Sequence, residues 1–175
     1  THSRNPRLAS VAGGLACSTT KDDILYFHQS STTWPVFPDP WTTISWPMDT
    51  FLELIPDTAE IAGRPNIVFT NGQFGIQLLR ATTPYPASIA DFETYAVDAG
   101  FARSAGFNFT MKVSPTGIPM IAFNANPGTG AQRRLAVATT TNPTTPADWV
   151  THSIGPNDSS GMGASEGSSR ISIRA

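Results

Sequence analysis

The sequence predicts an all-β chain built from repeated four-stranded units, and three observations carry that expectation. Charged residues make up only 14% of the 175 residues, while 15 Pro, 14 Gly and abundant Thr and Ser run through the whole length. Such a composition favours many short strands joined by turns over long helices. A stretch at residues 78–97 recurs without a gap at residues 135–154. A glycine followed by alternating apolar residues precedes each copy, and alternation with period two is the pattern of a strand with one buried face.

The repeat is the firmest of the three. LLRATTPYPASIADFETYAV aligns with LAVATTTNPTTPADWVTHSI so that Leu78 meets Leu135, Pro86 meets Pro143, Asp91 meets Asp148, Phe92 meets Trp149 and Val97 meets Ile154. A degenerate earlier copy at residues 24–46 keeps Trp41, Thr43 and Trp46, in the order aromatic, Thr two later, bulky apolar five later. The three aromatics Trp41, Phe92 and Trp149 are thus 51 and 57 residues apart. Gly63 opens GRPNIVF and Gly117 opens GIPMIAF, and Gly13 and Gly14 stand in that place in the first copy.

Each unit reads as four short strands. In the third they fall near residues 108–113, 119–123, 134–138 and 149–154, separated by hairpin-length loops except for the Thr/Pro stretch before Trp149. The chain divides into residues 1–46 (the end of a preceding unit plus the first), 47–97, 98–154, and 155–175 as a linker with the opening strand of a further unit. Thr1, His2 and Ser3 repeat Thr151, His152 and Ser153, and SRISIRA at 169–175 alternates like a new first strand. The chain is therefore expected to begin as one unit finishes and to end as another starts. Four strands per unit at a period near 50 is the signature of β-propeller blades. A β-sandwich is the rival, but it has no need of an internal repeat. Closed propellers have about 4–8 blades. Three blades leave open faces, which further blades of a longer parent chain or another copy would cover.

The elements Gly117-x-Pro119-x-Ile121-x-Phe123, Leu135-Ala136-x-Ala138 and Pro143-x-x-x-Ala147-Asp148-Trp149 with Ile154 resemble the blades of bacterial extracellular β-propellers. The resemblance covers nearly the whole chain. It implies an extracellular or cell-surface location and a binding or structural role in adhesion, surface assembly, or glycan or protein recognition. It also implies that ligands meet the face bearing the loops between second and third strands and those between blades. On that face the candidates are Asp22, Asp23, Asp49, Asn71, Arg103, Asn124, Asn126 and Asp158. Propellers host many activities, so the blade alone does not choose among them.

The other signals narrow the field. A net charge of −2 gives no reason to expect nucleic acid or a membrane surface as partner. No apolar run approaches the roughly 20 residues that span a bilayer. Cys17 is the single cysteine, so no internal disulfide is available. His2, His28 and His152 lack metal-ligand spacing. No cofactor is implied. Calcium is offered at most by Asp22 and Asp23 or by Asn157 and Asp158, which lack the dense acidic alternation of a calcium loop. The Asp91–Phe92 and Asp148–Trp149 pairs admit two readings, a repeated ligand site or a structural device. The structural reading is preferred: the aromatic packs between blades and the Asp caps a turn. No catalytic residue is assigned. The competing functional expectation is a fragment of a propeller-type glycan-processing enzyme, which would need paired carboxylates or a nucleophilic tyrosine.

Overall fold

The computed structural model describes residues 4–21, 24–32, 41–47, 56–70, 75–98, 109–125 and 132–154. Among these, the strands form three four-stranded antiparallel sheets, each a simple meander. The first blade holds β1 (Arg4–Val11), β2 (Gly14–Lys21), β3 (Ile24–Ser30) and β4 (Thr42–Pro47). The second holds β5 (Asp57–Ile61), β6 (Arg64–Thr70), β7 (Ile76–Ala81) and β8 (Phe92–Asp98). The third holds β9 (Phe109–Val113), β10 (Pro119–Ala125), β11 (Gln132–Ala138) and β12 (Trp149–Ser153). The all-β, propeller-type architecture expected from the repeat is the one observed, and the strands of the third unit fall within two residues of the expected bounds.

Local chemistry explains the hairpins. Ala12 and Gly13 join β1 to β2, and Ala62 and Gly63 join β5 to β6, with φ of 50°, 78°, 51° and 73° in that order. Two positive φ values in a two-residue loop match the right-handed twist of the flanking strands. The third blade replaces this with a longer turn. There the Ser114 amide donates to Ile118 O (2.8 Å), Gly117 N donates to Ser114 O (2.9 Å), and Gly117 takes φ 83°.

The blades share one register. Phe27 pairs with Ile44, Leu78 with Tyr95 and Leu135 with His152. Phe92 then falls opposite Ala81 and Trp149 opposite Ala138. Trp41, beside the Gln29–Thr42 pair, continues the same register in the first blade. The innermost strands β1, β5 and β9 lie side by side, as the blades of a propeller arc require.

Alternation along the strands feeds two cores. Ile67, Phe69 and Leu79 of the second blade pack with Val11, Ala16, Leu25, Phe27, Ile44 and Trp46 of the first. Val68, Ile76 and Leu78 pack the other way, with Met111, Ile121, Phe123 and Trp149 of the third. Every residue of β7 is buried as a result. At about 1.5–3 kcal/mol for each large apolar side chain fully removed from water, these inter-blade layers dominate the stability of the arc. Among the described residues, no helix is long and apolar enough to cross a membrane.

Candidate functional site

The segment that joins the third strand to the fourth is built alike in blades two and three. Thr82 donates to Asp91 O through both its amide (2.8 Å) and its hydroxyl (3.0 Å), closing a loop that ends in a single 3-10 turn. The Asp91 carboxylate accepts from the amides of Ala87 and Ser88, both at 2.9 Å, and from the Ser88 hydroxyl at 3.3 Å. In the third blade Thr139 bonds Asp148 O at 2.8 and 3.1 Å, while the Asp148 carboxylate takes the amides of Thr144 (2.8 Å) and Thr145 (2.9 Å) and the Thr145 hydroxyl (3.2 Å). The backbone amides hold both carboxyls below the usual carboxylate range, Ala87 and then Ser88 for Asp91, Thr144 and then Thr145 for Asp148. In each turn one carboxylate oxygen takes three donors, so the repeated Asp fastens a loop.

The turn delivers the next residue to the neighbouring blade. Phe92 meets Trp46 edge to face, with ring centroids 4.9 Å apart and planes at 90°, and meets Phe27 at 5.7 Å and 74°. Trp149 lies in the core between blades two and three, where its Nε1–H donates to Tyr95 Oη at 3.4 Å. Tyr95 in turn donates to Pro143 O at 3.0 Å. Burial pushes the Tyr95 phenol up, against the pull of the Trp149 hydrogen bond. Trp41 holds the equivalent position but is exposed.

Polar contacts between blades repeat too. Gln29 Nε2 donates to Pro84 O at 3.0 Å, and at the equivalent position Arg80 Nη2 donates to Asn142 Oδ1 at 3.2 Å. Thr58 Oγ1 donates to Ser18 Oγ at 2.7 Å. The Met111 amide donates to Asp57 Oδ2 at 2.8 Å. Tyr85 Oη donates to Ala12 O, and the Ala12 amide donates to Glu60 Oε2.

Of the residues expected on the ligand face, Asp22, Asp23, Asp49, Asn71, Arg103, Asn126 and Asp158 lie outside the described residues. Asn124 lies on β10, its backbone opposite Arg133. Of the residues read as structural, Asp91, Asp148, Phe92 and Trp149 lie at the turn and the blade interfaces, Gly63 and Gly117 lie in the first hairpin of their blades, and Trp41 is exposed. His152 is exposed on β12, and Arg134 lies on β11 with Nη1 3.9 Å from Asp98 Oδ2. On the outer face of blade one, His28 Nδ1 is 3.0 Å from Thr43 Oγ1 and its ring stacks with Tyr26 (6.2 Å). Partial burial lowers the His28 pKa. Among the described residues, no group of three or more His, Cys, Asp or Glu is gathered as a metal site would be.

One concave feature escaped the sequence reading. A groove of about 530 Å³ runs along the innermost strands, lined by Leu8, Ser10, Asp57, Glu60, Met111 and Lys112 among others. It combines a hydroxyl, carboxylates and an ammonium group with the apolar side chains of Leu8 and Met111. The lining residues come from three blades, so no single stretch of sequence signals it.

No family model fits the chain, and no curated protein is significantly similar to it.

Proposed function

We propose that this chain is an arc of a β-propeller acting as a binding or structural module of an extracellular or surface protein, of the kind its blade motifs resemble. The supporting observation is how the repeat spends its residues. The repeated Asp, aromatic and Gly positions serve turns and blade interfaces, which leaves the variable positions free to carry recognition. The axial groove with Ser10, Glu60 and Lys112 is a concave polar surface on that scaffold, the setting in which glycan hydroxyls or a polar protein loop are held. Further blades, from a longer parent or another copy, cover the open faces at either end.

A glycan array and a glycosidase panel, run on the same preparation, test the reading. Saturable binding without turnover, weakened by Lys112→Ala or Glu60→Gln, is the expected result. Turnover that disappears when one carboxylate is replaced overturns it in favour of a glycan-processing enzyme.

A further inference from the structure

We propose that the two interfaces between blades are keyed differently, so that blade two docks on blade one, blade three docks on blade two, and the partners do not exchange. The keys fix blade order in a chain whose units otherwise share one register. The inference is independent of what the arc binds.

Three sets of equivalent positions carry the keys. The first set lies beside the innermost strands. Ser18 pairs with Phe27 in blade one as Val68 pairs with Leu78 in blade two. Thr58 pairs with Ile67 in blade two as Met111 pairs with Ile121 in blade three. Across the first interface Thr58 Oγ1 donates to Ser18 Oγ at 2.7 Å, and both residues are buried. Across the second, Val68 and Met111, also buried, share one apolar core. A hydroxyl pair at one interface is thus a hydrophobic pair at the other.

The second key seats the aromatic that opens each fourth strand. Ile44 pairs with Phe27 as Tyr95 pairs with Leu78. Phe92 has no polar side-chain atom, and it packs on Phe27 and Trp46 in the core that holds Ile44. Trp149 brings an indole N–H, which donates to Tyr95 Oη at 3.4 Å. The third key differs in charge. Gln29 and Arg80 are buried, each two residues beyond Phe27 or Leu78. The neutral Gln29 amide donates to Pro84 O at 3.0 Å. The Arg80 guanidinium donates to Asn142 Oδ1 at 3.2 Å and pairs with Glu93 at 3.1 Å.

Exchange of partners breaks all three. Blade three seated on blade one sets Met111 against Ser18 and the Trp149 indole against Ile44, burying a hydroxyl and an N–H without partners, while Arg80 loses Asn142. Each such group forfeits its hydrogen bond and keeps its desolvation cost. Similar blades in one chain offer skipped docking, or docking exchanged between copies, as a competitor to the native order, and repeat proteins are prone to it. The mismatches act against those alternatives specifically.

Ser18→Val with Thr58→Met gives the first interface the key of the second. Urea unfolding of the 175-residue chain is measured for each single variant and for the pair. Each single change sets a hydroxyl against hydrocarbon and is expected to lower the midpoint, and the pair regains most of the summed loss. Losses that simply add overturn the proposal. The paired variant is also unfolded and refolded beside the parent and beside Gly63→Ala, a hairpin-tip change whose added carbon has no atom within 4 Å. Size-exclusion chromatography is expected to show a severalfold larger fraction of exchanged oligomers for the paired variant than for either. A paired-variant fraction no larger than that of Gly63→Ala overturns the proposal, because lost stability then accounts for it. Should the pair lose its far-UV strand signal, Tyr95→Ile with Trp149→Phe gives the second interface the seat of the first and supplies the same two readouts.

Discussion

Ala62 sits at φ 51° in an exposed hairpin tip, a left-handed conformation that an alanine side chain disfavours by roughly 1–2 kcal/mol. Asn tolerates it because its short polar side chain bonds locally. Ala62→Asn is therefore expected to raise unfolding stability by about 0.5–1 kcal/mol, read as a higher urea midpoint at unchanged slope. Gly63, at φ 73° with open space where a Cβ would stand, makes the opposite case. Gly63→Ala meets no clash and still costs about 1 kcal/mol, from backbone strain alone. The two capping carboxylates carry a pH signature. Asp91 and Asp148 are held below their ordinary range in the fold, so the unfolded chain takes up protons first as pH falls. The stability they contribute is complete above the unfolded value, near 3.9, and is lost as pH drops through the lower folded values. The Asp91→Asn, Asp148→Asn double variant should show a shallower loss of melting temperature between about pH 5 and pH 2 than the parent. Equal slopes would mean that the two carboxylates do not govern acid unfolding.

At the scale of the element, the turn and its aromatic act as one device, with the Asp holding the loop and the next residue plugging the neighbouring blade. Trp149→Ala removes the plug from the core shared by blades two and three and is expected to cost about 3–5 kcal/mol. Tyr95→Phe keeps the ring but leaves Pro143 O and the indole N–H of Trp149 without their partner, for about 0.5–1.5 kcal/mol; chemical denaturation separates the two magnitudes. Much of this device was legible in the sequence. Ser88-x-x-Asp91 and Thr145-x-x-Asp148 carry the capping pattern, and the 11-residue offsets from Ala81 to Phe92 and from Ala138 to Trp149 set the register. Period-two alternation marked the strands. The cross-blade contacts were not legible: Gln29 with Pro84 and Arg80 with Asn142 join residues 55 and 62 positions apart, and nothing local signals such a pair. Nor does sequence type set exposure, since Trp41 and Trp149 share a motif position and yet Trp41 is exposed and Trp149 buried among the described residues. The groove along β1, β5 and β9 arises likewise from strands that become neighbours only when blades stack.

Across the whole molecule, burial falls from the middle blade outward. Blade two has a neighbour on each side, and every residue of its β7 is buried. The outer strands of the flanking blades alternate toward solvent instead: β4 buries only Ile44 and Trp46, and β12 only Trp149. Opening β7 would breach both cores at once, whereas β4 or β12 can part from one ladder while the rest of its blade stays packed. Local opening free energies should follow that order, because amide exchange from a buried central strand requires the larger disruption. Native-state hydrogen exchange read by peptide or by NMR is therefore expected to show β6 and β7 as the slowest segment, and β4 and β12 as the fastest of the strands named. A β12 as protected as β7 would mean that its outer edge is paired, and would contradict the meander in which it is the last strand.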